Sequence, residues 1–179
     1  TDAILNNPPD GDWLMHRRDY AGTSYSPLKQ ITAQNVKNLQ LKWVWAMDEG
    51  GRQQFNPLVH DGTMFVSNNL TNVVQALDAK TGELIWENSI GPVLQRSGNA
   101  TRTMGLYKDL LIYPSTDSKL YGLNARTGKI VWKTTVTDLN GHIGGLTVIH
   151  GKIILGLTRC DEHPAKEHCF IAAYDADTG

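Results

Sequence analysis

The stretch 78-DAKTGELIW-86 is written again as 124-NARTGKIVW-132, and the last five residues are 175-DADTG-179. Extended backwards, the copies give three windows that align without a gap: VVQALDAKTG (73–82), KLYGLNARTG (119–128) and FIAAYDADTG (170–179). Asp or Asn, Ala, Thr and Gly share their columns, and a small residue precedes the turn each time: Ala76, Gly122, Ala173. The turn glycines are 46 and then 51 residues apart. A period of that length is one supersecondary unit of a larger array. The longer second interval fits DEHPAKEH (161–168) as a loop insertion.

Each window reads as a strand followed by a tight turn. Val73, Val74 and Leu77 favour extended chain, Asp78 or Asn124 can accept from nearby backbone N–H groups, and Gly82 or Gly128 supplies positive φ without steric cost. ELIWE and KIVWK then read as the returning strand with a Trp at a fixed place. A second hairpin precedes each window, turning at His60-Asp61-Gly62, near Lys108-Asp109, and at His150-Gly151. The unit is therefore about four short antiparallel strands. A single short helix is expected near TAQNVKNL, with Thr32 as N-cap and Val36 and Leu39 facing inward.

Four-stranded units at this period predict an all-β fold, a β-propeller of four-stranded antiparallel blades. A β-sandwich is the competing architecture, but it has no need of the same turn chemistry on every fourth strand. Trp86 and Trp132 take a structural role, packing between adjacent blades.

The chain has 179 residues and a net charge of −1, which gives no electrostatic case for nucleic acid or an anionic membrane. No apolar run is long enough to span a bilayer. The opening TDAILNNPPDGDW reads as a mature end left after signal removal.

AxDxxTGxxxW, present as ALDAKTGELIW and GLNARTGKIVW, resembles the tryptophan-docking motif of the quinoprotein alcohol dehydrogenases, which use pyrroloquinoline quinone (PQQ). GDWLMHRRDYAGTSYSPLKQITAQNVKNLQLKWVW (11–45) resembles that family's opening segment, with Asp12-Trp13, Arg18-Asp19, Ser26-Pro27-Leu28 and Asn35-Val36 to Leu39 at signature positions. The resemblance implies an eight-bladed propeller of which this chain supplies about the first three blades. The expected division is 1–54, an N-terminal segment whose strand around LKWVWAM (41–47) closes the ring with the last blade; 55–100 and 101–143, two blades; and 144–179, an incomplete blade.

The resemblance also implies a site. PQQ is expected in the central cavity with Ca2+ or a lanthanide, because its carbonyls and carboxylates call for cationic and hydrogen-bonding partners and a hard cation calls for oxygen ligands. Alignment on NPLVHDG puts Gln54 where the family carries a cofactor-contacting Glu. Arg102 in NATRTMG fits the family Arg beside the quinone oxygen, a role suited to a planar guanidinium. Asp161 or Glu162, after IILGLTRC, is expected to approach the metal. Arg96-Ser97 stands where many members carry a vicinal Cys pair, a departure from the family pattern. The catalytic base is expected beyond Gly179. Gln54, Arg102, Asp161 and Glu162 each also have a plain reading as solvated loop residues.

Cys160 and Cys169 flank the insertion. A disulfide closing that loop, a zinc site with His163 and His168, and free thiols are the alternatives, and the zinc spacing departs from the paired-knuckle pattern. Two functions of different class remain open. One is the N-terminal portion of a periplasmic PQQ-dependent dehydrogenase, oxidising a small alcohol and passing electrons to a cytochrome or quinone, completed by the remainder of the propeller. The other is a non-catalytic propeller of the same descent serving as a protein-interaction scaffold, as in outer-membrane assembly lipoproteins.

Overall fold

The computed structural model describes residues 2–47, 54–68, 71–93, 102–137, 142–158 and 170–179. Its strands form three separate antiparallel sheets. The first holds β1 (Leu58–His60), β2 (Thr63–Asn68), β3 (Val73–Asp78) and β4 (Leu84–Ser89). The second holds β5 (Gly105–Tyr107), β6 (Leu110–Pro114), β7 (Lys119–Asn124) and β8 (Ile130–Thr135). The third holds β9 (His142–Ile149), β10 (Lys152–Thr158) and β11 (Ile171–Asp175). Within each sheet neighbouring strands follow in chain order, the meander expected of propeller blades.

The hairpins turn where the sequence places them, with Asp61 and Gly62 (φ 47° and 73°) and His150 and Gly151 (φ 47° and 70°) in the left-handed region. That pair of positive φ values matches the right-handed twist of the flanking strands.

Alternation along the strands explains why the second sheet is so apolar. Leu111, Tyr113, Tyr121 and Leu123 pack towards the first sheet, against Phe65, Val74, Ala76 and Trp86. Ile112 and Leu120 pack towards the third, against Ile143, Val148, Ile153 and Leu155. A sheet covered on both faces needs apolar residues at successive positions, and LLIY in β6 supplies them.

The repeated phrase docks one blade on the next. The Asp78 carboxylate accepts from the Lys80 and Thr81 N–H groups, both at 2.8 Å. Asn124 does the same for Arg126 and Thr127, and Asp175 for Asp177 and Thr178. Each turn ends on a glycine of positive φ: Gly82 at 77°, Gly128 at 70°, Gly179 at 77°. Trp86 lies over Gly128 and Trp132 over Gly179, so closely that a Cβ on either glycine would stand 2.4 and 2.6 Å from an indole carbon. Asn88 and Thr134, two residues after each Trp, bond the carbonyls of the same glycines at 2.7 and 2.8 Å.

One local expectation is corrected. TAQNVKNL forms one 3-10 turn, Val36–Asn38, and Val36 and Leu39 are exposed. Thr32 and Asn35 bond each other's backbone N–H groups, which closes a turn without starting a longer helix. Residues 41–47, expected to pair with the last blade of the ring, have no strand partner among the described residues. Their indoles fasten them to the first sheet: Trp43 covers Gly82 and donates to the Ala79 carbonyl at 3.2 Å, and Trp45 donates to Gln75 Oε1 at 3.0 Å.

Candidate functional site

The innermost strands β1, β5 and β9 are joined at their entries by backbone bonds that run from blade to blade. Asn56 N–H donates to the Arg102 carbonyl, and Arg102 N–H donates to the Gly144 carbonyl, each at 3.1 Å. One residue further along, the Thr103 hydroxyl accepts from Leu146 N–H at 2.7 Å and donates to the Leu146 carbonyl at 3.0 Å. These links bring the segments carrying Gln54 and Arg102 together at the same end of neighbouring blades. Both side chains are exposed there, and neither is held by a hydrogen bond or ion pair among the described residues.

The same end carries a buried polar clamp that sequence reading missed. Asn72 is fully buried with φ 51°. Its nitrogen donates to the Pro92 carbonyl and the Thr116 hydroxyl, each at 2.8 Å. Its oxygen accepts from Thr116 N–H at 3.1 Å and from the Tyr113 hydroxyl at 3.2 Å. Burial pushes the Tyr113 hydroxyl well above its ordinary range, so it stays a donor. The turn TNVV gives no periodic signal, and the one sign of the clamp is an Asn where a left-handed turn residue is needed.

The N-terminal arm, including α1 (Asp2–Asn6), lies across the inner strands. Trp13 exchanges both backbone hydrogen bonds with Val59, at 2.8 and 2.9 Å. Leu5 and Leu14 are buried in the first core cluster with Leu58, Met104 and Leu106. Asp12 accepts from the Asp61 N–H at 3.2 Å and meets His60 Nδ1 at 2.6 Å. Asp2 accepts from His150 N–H at 2.8 Å, and that bond leads the causes holding its carboxyl below the usual range. Tyr20, whose hydroxyl lies 3.0 Å from the Val148 carbonyl and 3.1 Å from Asp2, is pushed up to about 12 by burial and then by Asp2. Two clefts of about 270 and 290 Å3 share His60, Leu106, Lys108 and Asp109. They open at the far ends of β1 and β5, away from Gln54 and Arg102.

The residues at the axial entry fit a planar group rich in carbonyl and carboxylate oxygens. Arg102 offers a guanidinium with no competing carboxylate among the described residues, and Gln54 an amide that donates and accepts. Asp161 and Glu162, expected at the metal, lie outside the described residues, as do Arg96-Ser97, Cys160, His163, His168 and Cys169. Among the described residues no three His, Cys, Asp or Glu side chains converge as a metal site.

Radial four-stranded sheets docked by indole on glycine define a β-propeller of the tryptophan-docking class. Residues 13–179 match the family model for the PQQ, glucose/ethanol/alcohol dehydrogenase β-propeller domain, and the chain belongs to that family. It is 35% identical over 177 residues to the quinohemoprotein alcohol dehydrogenase ADH IIB of Pseudomonas putida, an alignment covering 94% of this chain and 25% of that protein. The crystal structure of quinohemoprotein alcohol dehydrogenase from Comamonas testosteroni superposes with a TM-score of 0.83 at 32% identity, covering 99% of this chain and 27% of that one. A europium-containing methanol dehydrogenase superposes with a TM-score of 0.85 at 25% identity, covering 100% of this chain and 32% of that one. The chain thus spans about a quarter of the length of the curated relatives it matches. The expected cofactor set, PQQ with Ca2+ or a lanthanide, agrees with the family and with the europium-containing neighbour.

Proposed function

We propose that this chain is the N-terminal part of a periplasmic PQQ-dependent dehydrogenase that oxidises a small alcohol and delivers electrons to a cytochrome or quinone. The observation that carries the reading is the placement of Arg102 and Gln54: exposed, without a side-chain partner among the described residues, and carried by linked backbone segments at the inner-strand entries. Arg102 binds and orients the quinone and carboxylate oxygens of the cofactor, and its fixed charge favours a site that must accept extra electron density. Gln54 donates an amide hydrogen to a carboxylate without adding charge. Asp161 or Glu162 ligates the hard cation through oxygen. When bound, PQQ with its metal supplies the two-electron redox chemistry, and the general base comes from the remainder of the propeller. A Cys160–Cys169 bridge closes the inserted loop beside the metal position.

The test uses the full-length protein with PQQ added together with Ca2+ or a lanthanide, followed by dye reduction across a panel of alcohols. Turnover with at least one alcohol is expected, lost in Arg102→Ala while the protein remains folded. Failure of PQQ to bind at micromolar concentration with either metal would replace the enzyme by the interaction scaffold.

A further inference from the structure

We propose that Asn56 is a positioning residue for Arg102, and that through it the N-terminal arm sets the geometry of the axial site. The inference rests on the reading of Arg102 as a cofactor-binding residue. Asn56 is half-buried at the entry to β1 and reaches in two directions. Its backbone N–H donates to the Arg102 carbonyl at 3.1 Å, and its side-chain nitrogen approaches the same carbonyl at 3.4 Å. The same nitrogen lies 2.8 Å from His16 Nδ1, on the N-terminal arm. An amide nitrogen carries two hydrogens and no lone pair to accept with, so His16 Nδ1 accepts and one hydrogen remains for the Arg102 carbonyl. Arg102 is then gripped from both sides, its carbonyl by Asn56 and its N–H by the Gly144 carbonyl at 3.1 Å.

The next blade repeats the device with different chemistry. Counted back from the hairpin turns at Asp61, Lys108 and His150, the residues equivalent to Asn56 are Thr103 and Gly145. Thr103 also reaches across, to Leu146. Gly145 receives that reach: a Cβ on it would stand 2.6 Å from Thr103 Oγ1. Two successive blades thus spend a polar side chain on holding the neighbouring inner strand. In the first pair the segment that is held, leading into β5, carries the one cationic residue of the expected site. A guanidinium sits on a long side chain with much rotamer freedom, and fixing its Cα leaves less freedom to lose when an oxygen-rich ligand binds.

The experiment is a double-mutant cycle in the full-length protein, reading the equilibrium affinity for PQQ without turnover. Arg102→Ala and Asn56→Ala are each expected to weaken PQQ binding, the second on the order of tenfold. The double variant should bind no more weakly than Arg102→Ala alone. Asn56→Thr, which installs the residue of the next blade, should recover most of the loss. In the cofactor-free protein, amide exchange across 102–104 should speed up in Asn56→Ala. Should that variant not fold, Asn56→Asp, isosteric but without the donor hydrogens, carries the same cycle. If Arg102→Ala leaves PQQ affinity unchanged, the reading of Arg102 itself fails. If Arg102→Ala weakens binding while Asn56→Ala does not, or the two losses add, Asn56 has no positioning role.

Discussion

At the first blade interface Trp86 covers Gly128 and its Nε1–H donates to the Ala125 carbonyl at 2.9 Å. At the second, Trp132 covers Gly179, but its Nε1 is buried with no hydrogen-bond partner among the described residues. The two interfaces also differ in the small residue ahead of the turn. Trp86 sits across from Ala76 and Trp132 across from Gly122. A Cβ on Gly122 would stand 2.2 Å from one indole carbon of Trp132 and 2.4 Å from its nitrogen. The missing methyl lets the indole lie close over Gly122, where a Cβ would collide with it, and its N–H makes no bond to the next blade's turn among the described residues. The second interface adds a surface ion pair, Lys108 with Asp177 at 2.7 Å, where the first has Asp61 and Arg126 at the equivalent positions. A motif that is constant in letters therefore fixes the indole–glycine contact, while the hydrogen bond of the indole nitrogen differs from one interface to the next.

The largest effect expected from this difference is on truncation. The Trp86 indole is buried and hydrogen-bonded, and the Trp132 indole makes its glycine contact without a bond among the described residues. In chemical denaturation of the full-length protein, Trp86→Ala should cost about 3–5 kcal/mol, as truncation of a buried aromatic does, and Trp132→Ala, which gives up no indole hydrogen bond, about 1 kcal/mol less. Equal losses would mean that the indole hydrogen bond adds nothing to the first interface. Next in size is Gly122→Ala, which forces a methyl into the indole and should cost about 1–3 kcal/mol. If that variant is instead stabilised, the methyl has restored the bond that Trp86 makes. Smaller again is the contrast between the two Trp→Phe variants. Trp86→Phe loses a satisfied hydrogen bond and Trp132→Phe removes an orphaned N–H, so the second should be the milder by about 1 kcal/mol.

How much of this was written in the sequence depends on the kind of interaction. The turn glycines, the Asp or Asn ahead of them and the Trp after them were legible, because left-handed backbone and an Asx turn restrict residue choice strongly at fixed offsets. Trp43 was not read as a docking residue, since the turn phrase that would announce it does not precede it here. It fills the same place on Gly82 that Trp86 fills on Gly128. Asn72 and Asn56 were also missed. Each acts on a residue more than forty positions away, and an Asn in a polar loop looks the same whether solvated or buried. Gln54 and Arg102 were found by alignment to a family pattern, while the bonds joining their segments became visible only once β1 and β5 were side by side. The inward-facing helix at 32–39 failed because local capping letters close a single turn as readily as they start a helix.

The last contrast is between turns that titrate and one that does not. The Thr81 N–H, then the Lys80 N–H, hold the Asp78 carboxyl below its ordinary range. The Lys152 ammonium, then the Asp177 N–H, do so for Asp175. A carboxyl whose folded value is depressed contributes stability that is present above its unfolded value and lost as the pH falls through the folded one. Asn124 makes the same two turn bonds with an amide oxygen and has no proton to gain. Acidification below the ordinary carboxylate range should therefore loosen residues 78–82 and 175–179 before residues 124–128. Both acids are half-exposed in surface turns, so the effect is local and shows in amide protection rather than in global stability. Protection factors at Lys80 and Thr81, corrected for intrinsic exchange, should fall with pH while those at Arg126 and Thr127 hold. Asp78→Asn should abolish the fall at its own turn and leave that at 175–179 intact. Simultaneous loss at all three turns would show that the blades open as one unit before any carboxyl titrates on its own.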